Sequence, residues 1–146
     1  MKEIAAQLRL VIDKTEPQLL KITDVDAGTK TETLKWSKKE ILGHLIDSAA
    51  NNHQRFVRAV YNAADQFPPY NQNEWVRIQQ YNNSSWNLLV GLWSAYNRHL
   101  CDLIERIPDE AKTSPVGIGK DEPVTLEFIA TDYLRHLRHH VEKIVG

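Results

Sequence analysis

Four stretches of the chain repeat apolar residues at helical spacing, and the segments between them hold most of its glycine and proline. The first runs from about Lys2 to Thr23, with Pro17 either kinking it or starting a second piece behind Thr15. Gly28 falls in the loop that follows. The second has a strong start signal, because Ser37-Lys38-Lys39-Glu40 is a capping box in which hydroxyl and carboxylate satisfy each other's orphan amides. Trp36 and Ile41 take the two positions of a hydrophobic staple, and the helix is predicted from Lys38 to about Ala64, before Pro68-Pro69. A short helical turn is expected around Glu74 to Gln80. Ser84 or Ser85 then caps a third helix, whose stripe is Trp86, Leu89, Trp93, Tyr96, Leu100, Leu103 and Ile107, and Pro108 closes it. Thr125 caps the fourth, with Val124 and Ile129 at staple positions and a stripe of Leu126, Ile129, Tyr133, Leu137, Val141 and Ile144.

Nothing reads as a strand of useful length, so the predicted fold class is all-α. Four amphipathic helices of about twenty residues, with connections of about five to eighteen, predict a four-helix bundle. The chain is expected to form a single domain over residues 1–146. The longer loops leave room for crossover connections, so a simple up-and-down order is not assumed.

Composition narrows the function classes. With 42% hydrophobic and 25% charged residues, the chain has the make-up of an ordinary globular protein. Its 18 basic and 19 acidic residues leave a formal charge of −1, which gives no footprint for a phosphate backbone. Lys35, Lys38 and Lys39 are too short a cluster to alter that, and no nucleic-acid partner is expected. The longest apolar runs, such as Leu88 to Trp93, fall far short of the ~20 residues that span a bilayer, and no leader pattern is seen at the start. No membrane association and a cytoplasmic location are expected. The one cysteine, Cys101, lies in a helical pattern beside Leu100 and Leu103 and reads as a packing residue.

The candidate chemistry lies in histidines. His136 and His140 are one helical turn apart at the same edge of the last stripe, so two imidazoles can meet one ion. His139 falls farther round, among Arg135, Arg138 and Glu142, and reads as solvent-facing. A third ligand has to come from elsewhere, and the second helix offers His44 and His53. Nine residues of helix place these about 13 Å apart along the axis, so both cannot hold the same ion. Periodicity alone favours His53, which falls in the stripe of Leu42, Leu45, Ile46, Ala49, Phe56 and Val60. His44 sits on the flank with Asp47, Asn51 and Arg55.

These residues resemble the DinB-like proteins, metal-dependent enzymes of the bundle type related to bacillithiol and mycothiol transferases. The resemblance covers nearly the whole chain. It rests on Trp36-Ser37 leading into Glu40-Ile-Leu-Gly-His44-Leu-Ile-Asp47-Ser48, on Asn52 and Arg55-Phe56, and on Asp132-Tyr-Leu-Arg-His136-Leu-Arg-His-His140. It implies that His44, His136 and His140 bind one divalent ion, zinc or nickel by the preference of neutral imidazoles. It also implies a small-molecule substrate, homodimers and one of two activities: transfer of a low-molecular-weight thiol co-substrate to an electrophile, or metal-dependent hydrolysis. No glutamate directly follows a histidine in the HExxH pattern, which disfavours peptidase chemistry.

Asp47 and Asp132, each one turn from a proposed ligand, are candidates to orient an imidazole or act as a base. Asn51, Asn52 and Arg55 are candidates to line the mouth of the pocket and hold a polar or anionic substrate. Tyr81 and Trp75 are candidates to cover it. The competing class is a non-catalytic binding or dimerisation module, which the four tryptophans would serve through an exposed aromatic patch.

Overall fold

A computed structural model describes residues 1–62 and 65–146. Four long helices, α1 (Lys2–Leu19), α3 (Lys38–Tyr61), α5 (Trp86–Arg106) and α6 (Leu126–Val145), form a bundle. Two short ones, α2 (Asp24–Gly28) and α4 (Gln72–Gln79), lie in the connections. α1 packs on α5 and α6, and α3 packs on the same two helices. Going round the bundle the order is therefore α1, α5, α3, α6. Two of the three links, α1 to α3 and α5 to α6, cross the diagonal rather than joining neighbours, which is what the long loops accommodate.

The helix starts follow the capping chemistry. Ser37 accepts from the Glu40 amide while Glu40 accepts from the Ser37 amide. Ser85 caps α5 through Leu88, and Thr125 caps α6 through Phe128. The first helix ends earlier than its periodicity predicts, at Leu19. Thr23 is the reason, because its hydroxyl accepts from the Asp26 amide and caps a new helix that carries Gly28 inside its last turn. Pro17 lies within α1 without dividing it. The second long helix stops at Tyr61, and the expected end at Ala64 lies outside the described residues. The segment after α5 makes a two-residue antiparallel pairing, Pro115–Val116 with Val124–Thr125.

Trp86, Trp93, Phe56, Leu8, Ile12, Leu100, Leu126 and Leu137 are fully enclosed in the core, each worth about 1.5–3 kcal/mol of transfer free energy for the aliphatic and phenyl side chains. Some polar groups inside it are paired, whereas the Trp93 indole nitrogen has no hydrogen-bond partner among the described residues. The Tyr133 hydroxyl donates to Asn97 at 2.6 Å, and the Asn97 amide donates to the Trp93 carbonyl at 2.8 Å. Among the described residues no helix is long and apolar enough to cross a membrane.

The start of α3, which positions the site, is pinned to the α1–α3 connection. Lys39, 4% exposed, ion-pairs with Asp24. Asp24 also accepts from the Trp86 backbone amide, and the Trp86 indole donates to the Leu19 carbonyl. From Leu42 to Ala49 every residue of α3 is buried. One helical stripe cannot account for that, and α4 with the turn after it supplies the extra cover.

Candidate metal centre

That second buried face of α3 carries His44, which is 1% exposed. Opposite it on α6 stand His136 and His140, and one ring nitrogen from each of the three histidines falls within 4.8 Å of the others. His44 Nε2 lies 3.1 Å from His136 Nε2. This spacing suits two lone pairs turned on one cation, since bonds of about 2.0–2.1 Å in a tetrahedral shell set ligand nitrogens about 3.3 Å apart. Nδ1 of His44 and Nδ1 of His140 are buried without a hydrogen-bond partner among the described residues. With Nε2 of His44 turned on such an ion, its Nδ1 is the nitrogen that carries the ring proton, and no side chain among the described residues competes for either ring of His44 or His140 through that atom.

Electrostatics point the same way. Burial first, then neighbouring cations, push His44 down to about 4 and His140 down to about 3. His136 is also lowered, mainly by burial, with Asp132 pulling against it. All three rings are therefore neutral at pH 7, the state in which imidazole can coordinate. A histidine that ionises near 6.5 when unfolded and only far lower when folded makes the unfolded chain bind more protons between those values. Metal-free protein is therefore expected to hold its stability above about pH 6.5 and lose it progressively towards pH 4. Urea unfolding at pH 7 and pH 5 measures this, and His44→Gln with His140→Gln should flatten the dependence. An equal loss in that double variant would refute the assignment.

His53 lies elsewhere. It is half-buried at the α3–α5 seam rather than in the core as its stripe suggests, with Nδ1 3.0 Å from the Tyr96 hydroxyl and its ring 5.3 Å from that of His99. The wheel misleads here because it assigns α3 one buried face. His139 is exposed, its ring against that of His140.

Two cavities meet the three histidines. A small one of about 190 Å³ is lined by His44, His136, Ser48, Asn52, Arg55, Tyr70 and Asp132, with Ile118, Phe128 and Ile129 as its apolar wall. A wider groove of about 1090 Å³ reaches His140 and includes Trp36, Leu34, Lys21, Lys38 and Lys143. Gln72 borders both. The Trp36 ring packs 5.1 Å from that of His44.

Each candidate carboxylate is held through one oxygen, Oδ1, and Asp47 Oδ2 is buried without a hydrogen-bond partner among the described residues. Asp47, 2% exposed, accepts from the Tyr81 hydroxyl at 2.5 Å and from Gln79 at 2.8 Å on the same oxygen. Burial raises its pKa, opposed by those two donors. Asp132 is on the cavity wall but accepts two bonds from Arg135. Asn52 and Arg55 line the cavity, whereas Asn51 turns its amide back to the Asp47 carbonyl and does not. Tyr81 is buried beneath α3, not over the histidines, and Trp75 packs on Tyr70. Tyr70 and Gln79 escape sequence reasoning because they sit in loop and short-helix segments with no period. Gly43 does carry a signal, as a lone glycine inside a helical pattern. A Cβ there would come within 2.1 Å of the Tyr81 ring.

Against known proteins, the family described as the DinB superfamily matches residues 7–144. A protein of Oceanobacillus iheyensis named "Putative metal-dependent hydrolase" is 25% identical over 143 residues, 89% of this chain and 78% of its own length. YfiT of Bacillus subtilis, which bears the same name, is 24% identical over 151 residues, 99% of this chain and 78% of its own. The solved structure of YfiT, described as a probable metal-dependent hydrolase with an unusual four-helix bundle topology, is similar with a TM-score of 0.86 at 20% identity, covering 97% of this chain and 82% of that one. The mycothiol-dependent maleylpyruvate isomerase gives 0.79 at 14% identity, covering 97% of this chain and 59% of that one. At such identities the two structures speak to the fold, a four-helix bundle.

Proposed function

The chain belongs to the DinB superfamily, and we propose on that premise that it is a divalent-metal-dependent enzyme acting on small molecules, with His44, His136 and His140 as the ligands of one zinc or nickel ion. The observation that carries the proposal is the convergence of three neutral, partly uncommitted imidazoles where two cavities meet. An ion held by three protein ligands supplies Lewis acidity at an open position and brings a thiol or water there to ionise near neutral pH.

The surrounding residues favour a thiol over water as nucleophile. Among the described residues no carboxylate joins the three-histidine cluster, and Asp47 and Asp132 each give one oxygen to other side chains, Asp47 to Tyr81 and Gln79, Asp132 to Arg135. Water activation profits from a nearby base, whereas a coordinated thiol ionises outright. The reaction is thus read as thiol S-transfer: a sulfur–carbon bond forms on an electrophile, the thiol proton passes to solvent, and the leaving group departs with its electron pair. The groove beside His140, with Lys21, Lys38 and Lys143, is the berth for an anionic low-molecular-weight thiol. The small cavity, with Asn52 and Arg55 on its wall, holds the electrophile, and Asn51 supports it from behind through Asp47.

Hydrolysis is the second reading, favoured by the names of both curated relatives, and Asp132 would be its base. Zinc- and nickel-loaded protein should be offered low-molecular-weight thiols with a model alkyl halide, and separately aryl esters and amides. Metal-dependent thiol consumption that survives in Asp132→Asn supports transfer. Metal-dependent ester cleavage that falls about a hundredfold or more in that variant supports hydrolysis. Inertness in both assays, with the metal bound, favours a non-catalytic module.

A further inference from the structure

Arg55 carries a charge that the fold offsets only at a distance, through Asp132 across the same cavity. Its guanidinium is half-buried on the wall of the small cavity, and among the described residues it has no carboxylate within ion-pair reach. Its one hydrogen-bond partner is the Asn52 side-chain oxygen at 3.4 Å. Asp132 faces the same cavity from α6 but gives its Oδ1 to Arg135. Of the other seven arginines, Arg9, Arg58, Arg77, Arg98 and Arg135 each meet a carboxylate, while Arg106 and Arg138, without one among the described residues, are exposed to water. An arginine taken partly out of water without a counter-ion is costly, and proteins retain one where a ligand provides the missing charge. Burial holds its pKa below the usual arginine value, yet a guanidinium stays charged at neutral pH.

We propose that Arg55 is a carboxylate clamp, so that the molecule taken into the small cavity is a small organic carboxylate. The proposal rests on the reading of the neighbouring histidines as the reactive centre. The planar guanidinium offers two parallel N–H donors that match a carboxylate. Asn52 braces the guanidinium from one side. The Tyr70 hydroxyl, kept protonated by burial, is a further donor on the same wall. Ile118, Phe128 and Ile129 suit a hydrocarbon body. No lysine and no second arginine lines this cavity, which argues against a phosphate dianion. Arg55 stands eleven residues beyond His44 on α3, about 16 Å of helix rise, and both side chains reach one cavity of about 190 Å³. A ligand held at Arg55 by its carboxylate therefore extends its other end towards the histidines.

The test uses full-length protein without metal, so that carboxylate binding to an ion cannot imitate binding to Arg55. Benzoate and butyrate, their neutral amides, and inorganic phosphate are titrated by ligand-observed NMR against wild type, Arg55→Met and Arg55→Lys. Expected are binding of both carboxylates but not the amides, a loss of at least tenfold in Arg55→Met, and a smaller loss in Arg55→Lys, which keeps the charge without the fork. Unchanged carboxylate affinity in Arg55→Met overturns the proposal, as does tighter binding of phosphate than of benzoate. Should Arg55→Met fail to fold, judged by circular dichroism, Arg55→Lys against wild type carries the same comparison. Zinc content measured on the same proteins separates the two ideas, since loss of the clamp leaves zinc loading intact and failure of the metal reading leaves the carboxylate titration intact.

Discussion

Untagged protein purified without chelator is expected to carry close to one divalent ion per chain, and His44→Ala, His136→Ala or His140→Ala should each remove most of it. The ring nitrogens of these three residues alone gather within 4.8 Å among the described residues, so the loss of any one leaves two ligands. Removing even an outer partner of a metal ligand typically costs 10–100-fold in affinity, so losing a ligand itself should cost more than about a hundredfold. His53→Ala and His139→Ala are the matched controls. The first sits at the α3–α5 seam with Tyr96, the second on the solvent side of α6, and both should retain the ion. Elemental analysis by mass spectrometry, with circular dichroism to verify folding, reads the result. Protein that is metal-free and cannot be loaded with zinc or nickel would overturn the metalloenzyme reading and leave a helical interaction module.

Gly43→Ala is expected to destabilise the fold by about 1–3 kcal/mol, the usual cost of forcing extra atoms into a packed interior. Helix propensity predicts the opposite, since alanine in a helix interior is better than glycine by about 1 kcal/mol. Packing wins because the added methyl would lie 2.1–2.4 Å from three carbons of the Tyr81 ring, closer than any real contact. Tyr81 cannot withdraw cheaply, because its hydroxyl binds the enclosed carboxylate of Asp47. Urea unfolding of Gly43→Ala, Tyr81→Leu and the double variant forms a thermodynamic cycle. The double variant should be more stable than the sum of the single losses predicts. Simple additivity would show that the close approach of Gly43 and Tyr81 is not the cause.

The sequence announces elements whose signals are local. The Ser37–Glu40 box, the Thr125 cap and the stripe on α6 need only a few neighbouring residues to be read, and each lies where its pattern puts it. Thr23 is a local signal of the same kind, but it competes with the apolar period running through Pro17, and the cap prevails. The site is less legible because it depends on which helices meet. A wheel drawn for α3 alone ranks His53 above His44, since the second buried face is created by α4 and the turn after it, about thirty residues downstream. The resemblance to a family brought His44 forward where periodicity did not. Tyr70, Gln79 and the double hold on Asp47 depend on how a loop and the short α4 approach α3, which no spacing encodes.

The diagonal wiring of the bundle gives the α3–α6 seam a mechanical role. His44 and His136, 92 residues apart in sequence, face each other across that seam, which no short connection ties together. An ion gripped by both helices would act as a clasp across a very long loop, and because it leaves when the chain unfolds it would stabilise the folded state by mass action rather than by restricting the unfolded chain. Saturation would then be felt far from the pocket, because each tenfold rise in free ion above its dissociation constant adds about 1.4 kcal/mol to the folded state. An ion held there would thus set the stability of the fold as well as arm the pocket.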